Sequence, residues 1–338
     1  MEIKEYVDSG NYTTFKIGGQ FRYFADVSSI SNLNEVLKEV NKYEFPILPL
    51  GGGSNMILPD GVINVFALHV AFKGFEIKEE SEEYVILKIG AGESWDGAVA
   101  YAVEMNFSGI EAMSSIPGTV GATPVQNVGA YGQGIKDTLV EVEAFDILNK
   151  KTQILSNADC KFSYRDSIFK GEAKGKYIIV SVTLKLSKIA PSTPKYPGVD
   201  KYFIDMGITN PTLKDIREAI ISIRSEKLPD PRKIPNAGSI FKNPIVEKSL
   251  ADKIKISYHD MPSFEAGNMI KIPAGLLIEN AGLKGHNFGN ISVYNKNALV
   301  LVNNGNATFA DLVSTCKQII QTVKEKFGIT LEPEPEIF

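Results

Sequence analysis

Three polar clusters in the second half of the chain hold residue types that can do chemistry. Tyr164-Arg165-Asp166-Ser167 offers a guanidinium that stays protonated and two hydroxyls. Lys227-Leu228-Pro229-Asp230-Pro231 leads into Asn236-Ala237-Gly238-Ser239-Ile240-Phe241-Lys242-Asn243-Pro244, and the tail carries Leu331-Glu332-Pro333-Glu334. Taken singly, each has a plain structural reading: a turn with a surface ion pair, a proline helix stop, a solvated acidic terminus. Ser239 is the sharpest case, because Gly238 before it allows a tight turn that projects the hydroxyl. Ala237-Gly238-Ser239-Ile240-Phe241 is not a GxSxG nucleophile elbow, and no partner base is evident. Ser239 therefore reads as a proton or hydrogen-bond donor rather than a nucleophile.

The element that must serve these residues is Ser114–Gly134, SSIPGTVGATPVQNVGAYGQG, with five glycines and no formally charged side chain in a protein that is 22% charged. Pro117 and Pro124 argue against a long helix or a central strand here. A folded, neutral loop rich in backbone N–H groups can wrap a large polar anion, although a turn-rich connector would look similar. Two further glycine loops end apolar runs: GGGSN at 51–55 after Phe45–Leu50, and the end of VILKIGAG at 85–92. Three such loops in the first 134 residues suggest one extended cofactor wrapped by several turns. Neither GxGxxG after a strand nor GxxxxGK[ST] occurs, which disfavours the usual dinucleotide fold and the P-loop. Residue types and spacing alone lead to an enzyme that binds a large phosphate-bearing cofactor, with chemistry near Arg165, Ser239 and, as a further candidate, Glu334.

The supporting elements follow from periodicity. Residues 29–43 carry Leu33, Val36, Leu37 and Val40 at helical spacing behind Ser and Asn capping residues. A short strand then enters GGGSN, and strands are expected at 63–68, 75–78, 84–89, 141–147 and 177–186, with a helix at 95–105. Residues 187–211 hold several prolines and little periodicity, and read as an irregular surface excursion. Helices are expected at 212–227, around 273–280 and at 309–327, a strand at 298–302, and a short extended tail after Gly328. The mixture is α+β.

At 338 residues the chain suggests two or three domains, and 43% apolar content describes an ordinary globular protein. A net charge of −4 argues against a general nucleic-acid binder. Cys160 and Cys316 stand far apart, which points to a reducing cytoplasm rather than a disulfide framework. The three histidines, His69, His259 and His286, show no ligand spacing, so no metal site is expected. No signal peptide and no membrane span are expected either.

From Asn11 to Glu334, the wording and order of NYTTFKIGG, LGGGSN, GAGESW, SSIPGTVGATPVQNVGAYG, YRDSIFK, KLPDP, NAGSIFKNP, PAGLLIENAGLKG and LEPE resemble the UDP-N-acetylenolpyruvoylglucosamine reductases, flavoenzymes of peptidoglycan precursor synthesis. The 32-residue spacing from Tyr164 to Tyr196 resembles their longer, type I branch. The resemblance implies an α+β, vanillyl-alcohol-oxidase-type (PCMH-type) FAD-binding fold with a third, substrate-binding domain. The divisions would be 1–70 with 330–338, 71–225 and 226–329. It implies non-covalent FAD held by Gly51, Gly52, Gly53, Ser54, Asn55, Ser115, Ile116, Pro117, Gly118, Gly121, Ala122, Thr123, Gln126, Asn127, Gly129, Ala130 and Tyr131. NADPH would reduce the flavin and leave before enolpyruvyl-UDP-N-acetylglucosamine enters. Hydride would then pass to the vinyl carbon and yield UDP-N-acetylmuramate.

By the same likeness, Arg165 would stabilise the developing enolate, Ser239 would protonate the neighbouring carbon, and Glu334 would orient or relay. Tyr164, Tyr196, Lys227 and Asn243 match substrate contacts, the last three chiefly at the diphosphate. Two departures matter. Glu336 supplies a second carboxylate where the family more often has an aliphatic tail after Val-Arg, and Ala122-Thr123 replaces two serines. No nucleic acid, membrane or obligate protein partner is implied, and a monomer is expected. The rival readings are another FAD-linked oxidoreductase of the same fold and a non-catalytic nucleotide-binding module. The first would consume oxygen on some alcohol; the second would purify colourless.

Overall fold

The structure, a computed structural model, describes residues 2–40, 42, 45–189, 194 and 196–338. It divides into two compact units: Met1–Val7, Phe21–Gly53 and Asn64–Ser225 form the first, and Asp8–Gln20, Ser54–Ile63 and Glu226–Phe338 the second.

The first unit contains two sheets. Strands β1 (Lys4–Asp8), β2 (Gln20–Val27), β3 (Ile47–Leu50) and β4 (Val62–Val70) are ordered β1-β2-β4-β3, with β3 and β4 parallel in the register Ile47 to Phe66. The larger sheet is antiparallel throughout. It runs β8-β7-β9-β6-β5, from β5 (Phe75–Glu80), β6 (Tyr84–Gly90), β7 (Leu139–Asp146), β8 (Lys151–Ser156) and β9 (Tyr177–Ser187). Central β9 is buried along most of its length, as its near-continuous apolar run requires, whereas edge strand β5, FEIKEE, is exposed on both faces. Helix α1 (Ile30–Val40) buries Leu33, Val36, Leu37 and Val40, the stripe expected from their spacing; residues 41 and 43 of that expected helix lie outside the described residues. Helix α2 (Trp95–Glu104) starts on Ser94, whose Oγ accepts from the Gly97 N–H at 3.3 Å.

One expectation is overturned. Residues 187–211 are not irregular throughout, because Pro197–Met206 form helix α3. Pro197 stands in its first turn, where a missing N–H costs nothing, and Gly207 ends it with φ of 68°. Val199 and Phe203, four apart, pack on Ile216, Ala219, Ile220 and Ile223 of helix α4 (Leu213–Lys227). The prolines mask this short stripe in the sequence. Residues 190–193 and 195 of the same stretch lie outside the described residues.

The second unit is built on helices α5 (Lys248–Ser257), α6 (Ala274–Asn280) and α7 (Phe309–Phe327) and on a sheet ordered β10-β12-β11, from β10 (Asn236–Ser239), β11 (Ile291–Val293) and β12 (Val300–Asn303). Its core gathers Phe241, Leu277, Ile278, Leu301, Ile319 and Val323 together with Phe15, Ile17 and Ile57. Asn303, itself buried, donates from Nδ2 to the Phe15 carbonyl at 3.1 Å and so ties the early segment to β12. Thr308 and Asp311 form a capping box at the start of α7, and Gly328 closes the helix in a left-handed conformation. Among the described residues no helix is long and apolar enough to cross a membrane.

Trp95 is fully buried, and its Nε1 donates to the Met113 carbonyl at 3.1 Å, pinning the start of the glycine segment to α2. Trp95→Phe removes the donor, leaves a buried carbonyl unpaired and opens a small cavity. Chemical denaturation should show a loss of about 2–4 kcal/mol.

Candidate active site

The three glycine loops converge inside the first unit. A Cβ on Gly52 would lie 2.9 Å from the Gly118 Cα, one on Gly51 2.5 Å from the Thr119 Oγ1, and one on Gly121 2.6 Å from the Ala91 Cβ. The backbones are stitched as well as close: Gly121 N donates to Ala91 O at 2.8 Å, Val120 N to Glu93 O at 2.9 Å and Trp95 N to Gly118 O at 3.0 Å. The segment is broken into single turns at Val120–Ala122 and Thr123–Gln126 and a two-residue pairing of Gly129-Ala130 with Gln133-Gly134, as its prolines and glycines predict. Thr123 is turned inward, its hydroxyl donating to the Val120 carbonyl at 2.7 Å.

The YRDS turn is clasped onto this segment by four bonds. Asn127 Nδ2 donates to Ser163 O at 2.6 Å, Arg165 Nη1 to Gly129 O at 3.2 Å, Ser167 Oγ to Val125 O at 2.9 Å and Lys170 Nζ to Gln126 Oε1 at 3.2 Å. Ser115, Asn127, Tyr131 and Arg165 all have positive φ, between 44° and 61°. Left-handed backbone at non-glycine residues costs about 1–3 kcal/mol each and collects at functional sites. The Arg165 guanidinium also lies 5.7 Å from the centre of the Tyr164 ring. Tyr196, 41% exposed, meets Tyr131 edge-on at 4.8 Å.

Helix α4 braces the segment through residues that sequence reasoning missed. Arg217 forks onto Asp96, with Nη1 to Oδ1 at 2.6 Å and Nη2 to Oδ2 at 3.0 Å, and the same Oδ1 accepts the Ser115 N–H at 2.5 Å. Burial alone would raise the Asp96 carboxyl. The Arg217 fork, the Ser115 N–H and the charges of Arg217 and Arg224 outweigh it and hold the group below the ordinary aspartate range. Burial pushes the Tyr131 phenol up, against the nearby positive charge of Arg224, two turns on. The available signal was two arginines seven apart on one helix face, with an aspartate after the buried Trp95.

The second unit holds the remaining candidates. Ser239 ends β10, half-buried, after Gly238 at φ of 69°, whose N–H is taken by Asn236 Oδ1 at 2.9 Å. The tail runs beside it: Lys242 N donates to Glu332 O at 2.9 Å and Glu334 N to Ile240 O at 2.9 Å, which brings Glu334 alongside the residue after Ser239. Asn55 Nδ2 donates to Glu334 O at 3.3 Å, and Glu336 pairs with Met56, so the tail is laid down on both sides. Asn243 Oδ1 accepts the Ala274 N–H at 2.9 Å and so caps the start of α6. Lys227 is the exposed last residue of α4. Ser54 and Asn55 belong to this unit, and Gly51–Gly53 to the other. Both cysteines are buried, each thiol pushed up to about 12 chiefly by burial, so neither is poised to react.

The residues present fit a dinucleotide cofactor. A neutral, half-buried cradle in which Gly51, Gly52 and Gly121 have no room for a Cβ brings polar backbone close, with cations kept just outside it. Residues 21–149 match the FAD binding domain family, which defines the first unit as flavin-binding. Residues 230–338 match the C-terminal domain of UDP-N-acetylenolpyruvoylglucosamine reductase. The chain is 44% identical to the UDP-N-acetylenolpyruvoylglucosamine reductase of Flavobacterium johnsoniae and 39% identical to that of Chromobacterium violaceum, covering 100% of this chain in both cases and 100% and 99% of those proteins. The crystal structure of the reductase from Thermus caldophilus, 22% identical, shares the fold with a TM-score of 0.68 over 100% of this chain and 98% of that one. The chain belongs to the UDP-N-acetylenolpyruvoylglucosamine reductase family.

Because the Asp96 carboxyl is held low, its contribution to stability is complete above the ordinary aspartate value of about 3.9 and is lost as pH falls through its lowered folded value. Thermal melts from pH 7 to pH 3 should therefore show a steeper acid loss for the parent than for Asp96→Asn below about pH 4.

Proposed function

We infer that the chain is an FAD-dependent oxidoreductase that uses NADPH to reduce the enolpyruvyl ether of UDP-N-acetylglucosamine to UDP-N-acetylmuramate, the chemistry named by the relatives it covers end to end. The observation that carries the reading is the four-bond clasp of Ser163–Lys170 on Val125–Gly129. It binds the Arg165 turn to the wall of the flavin cradle. When bound, the flavin accepts and donates the hydride.

The chain's own residues supply binding and proton control. The Arg165 guanidinium offers charge-assisted hydrogen bonds to the carboxylate as that group takes on enolate character. Ser239 holds its proton on Oγ for the carbon next to the reduced position. A hydroxyl is a weak acid, yet a basic carbon in a site that excludes water makes the transfer feasible. Glu334 orients the intermediate or relays the proton. Its backbone tie to Ile240 supports that assignment over Glu336, whose partner is Met56. Tyr164, Tyr196, Lys227 and the Asn243 amide are assigned to the sugar nucleotide, with Lys227 at the diphosphate. The three-part division 1–70 with 330–338, 71–225 and 226–329, action as a monomer and residence in the cytoplasm complete the reading.

The test is a pair of anaerobic half-reactions on Ser239→Ala. Flavin reduction by NADPH should proceed at the parent rate, while formation of saturated product slows by about 10²–10⁴, the usual worth of a positioned general acid. Unimpaired product formation would remove Ser239 as the acid. A parent protein that purifies without flavin and takes none up would overturn the whole reading.

A further inference from the structure

Helix α4 is not part of the glycine cradle, yet its arginines stand by both ends of it. Near the start of the segment, Asp96 Oδ1 accepts both the Ser115 N–H and Arg217 Nη1, and Oδ2 accepts Arg217 Nη2. Toward the other end, the positive charge of Arg224 bears on the Tyr131 phenol. Seven residues separate the two arginines, about two helical turns, so they leave α4 on one face.

The Asp96 carboxylate faces an unusual demand. Ser115 is a non-glycine residue at φ of 61°, a conformation that persists only where the surroundings over-determine it. Around it, Ser114 Oγ donates to Glu111 O at 2.6 Å, Met113 O accepts from the Trp95 indole and Gly118 O accepts from the Trp95 N–H, so the flanks are fixed on α2. At Ser115 itself the hold is the Asp96 carboxylate, whose rotation would release the N–H. The Arg217 fork removes that rotation: its side chain is 16% exposed against 38% for Asp96, and a planar guanidinium fixes the carboxylate plane in a way a single ammonium does not.

We propose that Arg217 is a positioning residue for the cofactor: through its fork on Asp96 it holds Ser115 in the left-handed conformation that shapes the entry of the flavin cradle. The inference rests on the flavin-binding reading above. It concerns the shape of the empty cradle as much as the loaded one, so it has readouts that do not depend on turnover.

The experiment compares Arg217→Ala, Arg217→Lys and Asp96→Asn with the parent, and uses Lys88→Ala as a control. Lys88 pairs with Glu143 at 2.7 Å on the large sheet of the same unit and makes no contact with the Asp96–Arg217 fork. Apoprotein is titrated with FAD by fluorescence quenching, melting is followed without flavin, and amide exchange is read at Ser115. Arg217→Ala should weaken FAD binding about tenfold or more, the worth of one charge-assisted hydrogen bond, and speed exchange at Ser115. Arg217→Lys should recover part of both, and Lys88→Ala should lower melting with FAD affinity unchanged. The proposal is overturned if Arg217→Ala binds FAD as the parent does, or if Lys88→Ala weakens binding equally for the same loss in melting temperature. If Arg217→Ala does not fold, Arg217→Lys decides: weaker binding with faster Ser115 exchange supports the proposal, and parent-like values for both sink it. A parent that takes up no FAD defeats the functional reading itself, an outcome distinct from a parent that binds and a variant that binds equally.

Discussion

The first unit is organised by the absence of side chains where three loops meet. Gly52 faces Gly118, Gly51 faces Thr119, and Gly121 faces Ala91, at separations where a single methyl group would collide with backbone, a side-chain hydroxyl and a fixed Cβ respectively. Only bare backbone can come this close. The consequence is chemical as well as steric, because a wall of peptide groups presents dipoles without a net charge. It suits a ligand whose negative charge is spread along a diphosphate and whose large ring needs a flat seat. The strands that end in these loops, β3 and β6, lie in different sheets, so the convergence of the glycines also fixes how the two sheets of the unit meet.

A neutral wall made of strained turns does not hold itself. Around it stand Arg165, Lys170 and Arg217, each bound to an acceptor on or beside the glycine segment: the Gly129 carbonyl, the Gln126 amide and the Asp96 carboxylate. These contacts fix left-handed residues that the loop's own propensities would release. Arg165 steadies the turn through one Nη bond to the Gly129 carbonyl, which holds a cation at the edge of the neutral wall.

Much of this was legible in the sequence, for identifiable reasons. Glycine and proline act locally, so the segment 114–134 could be read as single turns before any contact was known. Helices α1 and α7 declared themselves through apolar spacing, and α7 matched its expected bounds, Phe309–Phe327, because Thr308, Asp311 and Gly328 cap it with local chemistry. Helix α3 was hidden, since Pro197 and the prolines before it look like loop and its core-facing residues are only Val199 and Phe203. The Asp96–Arg217 fork was hidden for a deeper reason. Its partners stand 121 positions apart, and each reads as an ordinary surface charge on an amphipathic helix. Pattern reveals which face of a helix is buried; it does not reveal which charge on the rim finds a partner.

The same distinction governs the second unit, where the candidate residues sit on ordinary secondary structure. Ser239 occupies the end of a strand whose turn is set by the Asn236 side chain and the left-handed Gly238, and Asn236 is itself buried and donates to the Pro229 and Ile234 carbonyls. NAGS is therefore a self-contained device: the asparagine shapes the turn, the glycine permits it, and the serine is its product. Glu334 is placed differently, by backbone bonds to Ile240 and by an Asn55 amide 279 residues earlier in the chain. Truncating the tail beyond Glu334 would leave its Ile240 bond but remove the Glu336–Met56 pairing that continues the strip. The Glu334 segment thus depends on residues far away in the sequence, whereas the serine carries its own support within four positions.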